Sequence, residues 1–295
     1  MLLLSMLVTF ALLRGAGGSP FEPPPGFARV PLPVQNELRR FYNLDEPWPV
    51  EFLTYVRNVA TLDFGPSQVD RYTTVDQVVE QSLPVTIQLA LLALLFAVPV
   101  GILLGLVSAA TSRRAADAAA SSFATLLLVL PVFLFAQIAS KWLVQEWGLV
   151  PGGWDEWRAK VVPALVLGLA PAGYTARLVR AAATEVLREP YVGTARAKGL
   201  RRPRIVFVHV LRNSLVPLLA ASVPLLALLV TGAFFVEGPF GIPGASAWFL
   251  TAAQTRDYPM VMGLTVALTA LVRVASLLAD VAAAALDPRV RERRT

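Results

Sequence analysis

Few residues of this 295-residue chain combine in types and spacings that could do covalent chemistry. The chain has no cysteine, which excludes disulfides, thiol catalysis and cysteine-ligated metals. Its one histidine, His209, lies near Arg212 at a predicted helix boundary, where a lone histidine is more often structural than catalytic. The glycine-rich run at residues 15–18 lacks the lysine of a phosphate-binding loop. The sequence therefore predicts no catalytic residue, no metal ligand set and no cofactor.

Two ionisable residues, Arg273 and Asp280, lie inside the last apolar run of the chain. Charges at membrane depth are unfavourable and usually face a bundle interior or water. Their spacing places them on one helix face, about 10 Å apart along the axis. Two interpretations remain open: Asp280 packs against a neighbouring helix, or the pair forms an intramembrane polar site on a transport path.

The stretch from Glu189 to Leu200 carries the signals of a short, capped helix. Pro190 suits the first helical position, where its missing N–H would be unpaired in any case. Gly199 fits the left-handed position after the helix, with Leu200 as the apolar residue of a Schellman-type stop. The residues alone leave open whether its small side chains admit a partner surface or the segment lies on lipid headgroups.

Long uncharged runs predict that the chain is all-α and crosses a membrane several times. Of its residues, 56% are hydrophobic and 16% are charged, whereas soluble domains have about a quarter charged. A bilayer core of about 30 Å needs about 20 apolar residues as helix. The predicted spans are residues 85–110, 118–140, 161–176 (or to 179), the run between Arg212 and Glu237, and 259–286.

The amino-terminal part is predicted in two pieces. Residues 1–13 are apolar but too short to span, so they are either a truncated first transmembrane helix or the apolar region of a signal peptide without its basic start. Residues 14–81 form an outer loop, Pro-rich and extended from Pro20 to Pro33. Two short amphipathic helices follow between Asn36 and Val59, broken at Pro47 and Pro49. Residues 82–295 hold the five spans and a basic loop at about 181–205.

Basic residues concentrate in the segments that alternate to one side of the membrane. These residues are Arg113, Arg114, Arg177, Arg180, Arg188, Arg196, Lys198, Arg201, Arg202, Arg204, Arg289, Arg291, Arg293 and Arg294. Short cytoplasmic loops are enriched in Lys and Arg, so this side is predicted to be cytoplasmic, with six spans and both termini inside if residues 1–13 cross. Tryptophans of the opposite side are interpreted as interfacial anchors: Trp142, Trp147, Trp154, Trp157 and Trp248. The basic residues lie between apolar runs, so nucleic acid is not an expected partner.

A series of motifs resembles one family along most of the chain. The segments Tyr191–Leu200 and His209–Pro217 look like the cytoplasmic signature loop of ABC importer permeases of the dipeptide/oligopeptide class. Further matches are Leu83–Ala90, Val236-Glu237 with Phe240–Gly244, Arg256–Pro259, Asp280 and Leu286–Arg289. Together they cover the chain from about Asn36 to its end. Two departures are Gly193, where the family usually has a charged residue, and the short first span.

The resemblance implies a six-span permease of the ABC type I importer fold in the cytoplasmic (inner) membrane. It implies a coupling helix that docks into a cytoplasmic ATPase subunit through Tyr191, Thr194, Ala195, Ala197, Lys198, Gly199 and Leu200. Its implied partners are two ATPase subunits, a second homologous permease, an extracytoplasmic solute-binding protein and membrane lipids. ATP hydrolysis would then occur on separate subunits, so this chain is expected to be a transport subunit and not an enzyme.

The expected substrates are di- or oligopeptides, with nickel chelates or oligosaccharides carried by the same type of complex as the alternative. A stand-alone secondary transporter is a weaker hypothesis, because the sequence shows no pair of broken helices in repeated positions. A membrane-embedded enzyme is disfavoured because no nucleophile–base pair or metal set is present.

Overall fold

A computed structural model describes residues 2–15, 31–42, 45–61, 63–67, 69, 72–111, 114–129, 131–215, 218 and 221–286. Within these ranges the backbone is helical, and β pairing is limited to an isolated bridge between Pro66 and Thr74. The extended segment predicted from Pro20 to Pro33 lies outside the described residues as far as position 30, and its predicted end is wrong because Pro33 is inside a helix, Leu32–Tyr42. Arg113, Pro217 and the arginines from Arg289 onward also lie outside the described residues.

Helices follow one another with short connections. The α-helices are α1 Leu2–Gly15, α2 Leu32–Tyr42, α3 Trp48–Ala60, α4 Val75–Ala110, α5 Arg114–Val129, α6 Val132–Ala139, α7 Trp157–Val186, α8 Pro190–Ala197, α9 Arg202–Arg204, α10 Leu211–Ser214, α11 Ser222–Phe240, α12 Ala245–Thr255 and α13 Tyr258–Leu286. Two π-helical segments, π1 Ser140–Glu146 and π2 Ile205–Val210, continue α6 and α9. Helices α2 and α3 occur where two short amphipathic helices are predicted between residues 36 and 59. Helix α2 begins earlier than predicted, and Pro49 does not break the chain but lies in the first turn of α3.

Length and composition make three helices able to cross a membrane: α4, α7 and residues 258–278 of α13. Counting each of two broken helix pairs as one span raises the number to five. The first pair comprises residues 118–129 and 132–146, and Pro131 stands at the start of its second part. The predicted multi-span helical fold is thus confirmed. Helix α1 has 14 residues, a length of about 21 Å that falls short of a bilayer core.

The first of two compact units contains residues 1–87 and 242–273. Its core packs α1 against α3, with the rings of Phe10 and Phe52 meeting edge to face at 5.5 Å. Arg14 forms a salt bridge with Glu51 on α3. The apolar amino-terminal helix therefore has a defined packing partner inside this unit.

The second unit contains residues 88–241 and 274–295, and α7 is its central helix. Close backbone approach explains its packing on α4: a Cβ at Gly105 would lie 2.6 Å from the carbonyl oxygen of Ala176. On another face of α7, a Cβ at Gly173 would lie 2.5 Å from the carbonyl oxygen of Ala124 on α5. Helices in lipid associate largely through such close contacts between small residues.

The predicted end of the third apolar helix, at Ala176 or at Val179, falls short, because α7 continues to Val186 and carries Arg177 and Arg180 as helical residues. Thirty residues of helix span about 45 Å, which exceeds a bilayer core by several turns. The apolar run underestimated this helix because its last turns are polar but still packed: Val179 and Ala183 are buried. The basic loop predicted at 181–205 therefore begins inside a helix.

Candidate partner-docking site

Helix α8, residues Pro190–Ala197, is held on the end of α7 by two tight turns. The N–H of Arg188 donates to the carbonyl oxygen of Glu185 at 2.9 Å, and the N–H of Glu189 donates to that of Val186 at 3.1 Å. With only three residues between the helices, α8 has a short connection to the long helix. A movement of either helix is therefore transmitted directly to the other.

Both ends of α8 have the geometry that the sequence predicts. Pro190 occupies the first turn after the extended Glu189. At the other end Gly199 has φ 77°, and its N–H donates to the carbonyl oxygen of Arg196 at 2.9 Å. The N–H of Leu200 donates to that of Ala195 at 3.2 Å, which completes the two bonds of a Schellman motif.

One face of α8 is buried against its own chain. Val192 is fully buried and Ala195 is 6% exposed, and Leu200 packs beside them. We call the surface that receives them the α8 seat, formed by Leu106, Val179, Ala183, Ile205, Val206 and Val210. The seat unites residues of α4, α7 and π2, so the position of α8 depends on all three elements.

The opposite face of α8 is exposed. Tyr191, Thr194 and Ala197 are exposed on the helix, and Lys198 and Gly199 are exposed directly after it, so five of the seven predicted docking residues are accessible. Ala195 departs from this set, because it contacts the α8 seat and not solvent. Leu200 is half-buried for the same reason.

A side-chain hydrogen bond ties the start of α8 to α10. Asn213 donates from Nδ2 to the hydroxyl of Tyr191 at 2.8 Å and to the carbonyl oxygen of His209 at 3.0 Å. This contact gives a physical reason for asparagine in the second half of the signature loop, which sequence reasoning alone did not supply. His209 enters this contact through its backbone.

Other motifs of the resemblance also acquire contacts. The hydroxyl of Thr86 accepts the N–H of Ala245 at the start of α12, at 3.0 Å, and so joins Leu83–Ala90 to the segment after Phe240–Gly244. Asp257, 3% exposed, accepts the N–H of Met260 in the first turn of α13 at 3.3 Å and is hydrogen-bonded by the hydroxyl of Ser67. These motifs position helix ends in the first unit.

Trp154 does not lie at an exposed interface as predicted for the tryptophan cluster. It is 8% exposed, and its indole N–H donates to Oε1 of Gln88 on α4 at 2.9 Å. Lys160 lies 5.0 Å from the centre of the same ring and donates to the same oxygen at 3.3 Å. Trp154 is therefore buried because Gln88 on the facing helix α4 offers its indole N–H a hydrogen-bond acceptor. Trp142 and Trp157 are exposed, as predicted for interfacial anchors.

The intramembrane pair stays a prediction. Helix α13 runs unbroken through positions 273 and 280, as the spacing requires. Arg273 is exposed and takes part in neither salt bridge found among the described residues. The side chain of Asp280 lies outside the described part of the chain. No group of three metal-ligating side chains occurs among the residues that could be searched.

Sequence reasoning did not identify the glycines at the α4–α7 contact. Gly101 and Gly105 are four residues apart, the spacing of small residues at close helix crossings in membranes. A Cβ at Gly101 would lie 2.5 Å from Cβ of Thr175 and 2.7 Å from the carbonyl oxygen of Ala172. This spacing could have predicted the helix pair that supports α8.

Comparison with known proteins identifies the family. Residues 101–292 match the family described as binding-protein-dependent transport system inner membrane component. The dipeptide transport system permease protein DppB of Bacillus subtilis is 34% identical over 285 residues, which are 96% of this chain and 92% of the relative. The oligopeptide transport system permease protein OppB of Salmonella typhimurium is 33% identical over 294 residues, which are 98% and 95% of the two chains.

Two solved structures share the fold. One is an amino acid ABC transporter with histidines, with a TM-score of 0.54 and 18% identity over 70% of this chain and 92% of the other. The second is the MetNI methionine ABC transporter in inward-facing conformations, with a TM-score of 0.55 and 20% identity over 72% and 95%. This chain therefore belongs to the inner-membrane components of binding-protein-dependent transport systems, and it is a multi-pass permease subunit of the type I importer fold that works with separate ATPase and binding-protein subunits.

Proposed function

We propose that this permease imports di- or oligopeptides and that α8 is the coupling helix through which an ATPase subunit drives it. The peptide substrate is supported by relatives named as dipeptide and oligopeptide permeases, at 31–34% identity over nearly the whole chain. The coupling role is supported by one observation above all: a helix that begins at a proline and ends in a Schellman motif packs on its own chain through one face and exposes the other.

A mechanical argument connects this geometry with transport. A partner that grips the exposed face of α8 pushes on a short rigid element whose buried face contacts α4, α7 and π2 at once. A displacement of α8 therefore reaches two long apolar helices without a flexible linker. Close-packed protein interiors have low compressibility and therefore transmit a displacement. ATP-driven closure of the ATPase pair would in this way change which side of the membrane the translocation path faces.

Cysteine crosslinking tests the docking surface, and the natural absence of cysteine makes single substitutions sufficient. Ala197→Cys on the exposed face should crosslink to a cysteine in the ATPase cleft of the assembled importer. Ala195→Cys is the matched control, because it lies two residues away but faces the α8 seat. Crosslinking from Ala195→Cys with none from Ala197→Cys would overturn the assignment of the exposed face.

Uptake identifies the solute. Cells that lack their own peptide importers and express this permease with its partner subunits should accumulate labelled di- or oligopeptides. Unlabelled peptides should compete, and nickel chelates or oligosaccharides should not. Uptake that only a nickel chelate or an oligosaccharide inhibits would assign the permease to that substrate instead.

We propose further that the α8 side is cytoplasmic, that both termini lie there, and that a second, homologous permease completes the path. An impermeant maleimide added to intact cells should label Arg158→Cys, before the apolar part of α7, and leave Lys198→Cys unlabelled until the membrane is opened. The reverse pattern would refute the orientation. Co-purification of a different permease with the tagged chain supports a heterodimer, and recovery of this chain alone as a pair contradicts it.

A further inference from the structure

An apolar groove lies beside the α8 seat in the second unit. It has a volume of about 350 Å³. The last turns of α4 supply Leu103, Leu106 and Val107, and the segment after α8 supplies Pro203, Val206 and Phe207. Seven of its eight lining residues are apolar, and Thr111, just after α4, is the exception.

The lining residues remain open to the surroundings. Leu103, Val107 and Phe207 are 54%, 54% and 57% exposed. Apolar cavities do not hold ordered water, which needs two to four polar partners. In a membrane protein such a groove is filled by apolar groups, which are either lipid acyl chains or the side chains of another polypeptide.

Charge at the groove favours a lipid with an anionic headgroup. Pro203, which lines the groove, precedes exposed Arg204 and follows the exposed Arg201 by two positions. The apolar helix α4 also ends here, at Ala110. The site thus changes from apolar to cationic over a few residues, as a phospholipid changes from acyl chain to phosphate.

We propose that this groove is a binding site for an anionic phospholipid of the surrounding membrane, with an acyl chain on Leu103, Val107 and Phe207 and the headgroup phosphate near Arg201 and Arg204. Arginine matches phosphate with a planar fork of donors. Each cationic residue near a membrane surface favours anionic lipid by about fivefold, so the two arginines give roughly 25-fold preference over a zwitterionic lipid.

A lipid bound in the groove would also affect how α8 is held. Leu106 and Val206 line the groove and belong to the α8 seat. An acyl chain in the groove would pack against Leu106 and Val206, which belong to the same buried cluster as Val192 and Ala195. Lipid composition should therefore alter how firmly α8 is held, a consequence that rests on the proposed coupling role, whereas binding itself does not.

Tryptophan fluorescence tests the site directly. The six natural tryptophans are at positions 48, 142, 147, 154, 157 and 248, none of which lines the groove. Phe207→Trp adds a reporter inside it, and Val208→Trp, equally exposed but not lining the groove, is the matched control. The importer complex is placed in bilayers of phosphatidylcholine that contain a minor fraction of either brominated phosphatidylglycerol or brominated phosphatidylcholine.

We expect brominated phosphatidylglycerol to quench the Phe207→Trp signal at roughly 25-fold lower fraction than brominated phosphatidylcholine, and to show no such preference at Val208→Trp. Adding Arg201→Gln and Arg204→Gln should abolish the preference, whereas Arg188→Gln, an exposed arginine before α8, should retain it. Equal quenching by both lipids would show that the groove is occupied by boundary lipid without preference for an anionic headgroup. Absence of quenching by either would indicate a protein partner in the groove, and both results overturn the proposal.

A measurement on the unmodified protein guards against a variant that folds poorly. Native mass spectrometry of the importer complex should show phosphatidylglycerol retained after detergent removal in preference to phosphatidylcholine. Loss of both lipids at the same activation energy would contradict the site. Neither readout requires α8 to bind an ATPase, so failure of the lipid site and failure of the coupling role are separately visible.

Discussion

Replacement of Gly199 should uncouple ATP hydrolysis from transport through the backbone alone. Gly199 has φ 77°, in the region that L side chains adopt only at a penalty. A Cβ built at this position meets no atom within 4 Å, so the chain itself has room for a side chain. Any intrinsic effect of substitution is therefore conformational.

The magnitude follows from two competing responses. If the left-handed conformation persists, a residue with a Cβ raises the free energy by about 1–2 kcal/mol, and a β-branched residue by more. If the turn opens instead, the bonds from Gly199 to Arg196 and from Leu200 to Ala195 are lost, at about 1 kcal/mol each. The response that costs less free energy limits the total cost to about 2 kcal/mol. This cost shifts the equilibrium between the intact and the opened Schellman turn toward the opened form by up to roughly 30-fold.

A series of three variants separates this explanation from crowding of the partner. Asparagine tolerates the left-handed region, alanine tolerates it less, and valine least. We expect uptake in the reconstituted importer to fall in the order Gly199→Asn, Gly199→Ala, Gly199→Val, while ATP hydrolysis persists. Crowding of a partner surface predicts another order, with alanine mildest because it is smallest. Wild-type uptake by Gly199→Val, or the order set by size, would refute the conformational reasoning.

Three further predictions concern the support of α8. Gly105→Leu should destabilise the permease by about 1–3 kcal/mol or more, since its Cβ would lie 2.6 Å from the carbonyl oxygen of Ala176, and thermal unfolding in detergent measures this loss. Tyr191→Phe should weaken coupling in a reconstituted transport assay by removing the bond from Asn213, worth about 1 kcal/mol. Asn213→Leu also removes the bond to His209 and should weaken coupling at least as much, and the double variant should add little to Asn213→Leu. Gly193→Ala should stabilise α8 by roughly 1 kcal/mol, because position 193 is helical with open space around it. A higher unfolding temperature with normal uptake would agree, and an unchanged or lower one would contradict the prediction.

The sequence predicted α8 well because every signal that defines this helix is local. Pro190 and Gly199 act through the backbone angles of their own positions, and Leu200 contacts a residue only five positions away. The multi-span helical class was similarly accessible, since it follows from apolar runs whose length a bilayer dictates.

Features that depend on a distant residue could not be obtained in this way. The sequence predicts Trp154 as an interfacial anchor, but in the fold its indole N–H donates to Gln88. The sequence predicts Ala195 as an exposed docking residue, but in the fold it is buried in a cluster with residues of π2. The end of α7 was misplaced for a related reason: polar residues there suggested a loop, but Val179 and Ala183 pack in the α8 seat. In each case the local sequence was compatible with two environments, and only burial by residues distant in the sequence distinguishes them.

The contrast between Ala195 and Ala197 shows why the seat matters for coupling. A coupling helix must bind its partner through one face and must stay fixed to its own chain through the other. Exposed Ala197 leaves a partner free to approach closely, while the small side chain of buried Ala195 lets α8 lie close to the α8 seat. A larger residue at Ala195 would raise α8 from the seat even with the docking face intact. We therefore expect Ala195→Leu to bind the ATPase normally in a pull-down and still transport poorly, whereas loss of binding itself would show that the seat is not a separate determinant.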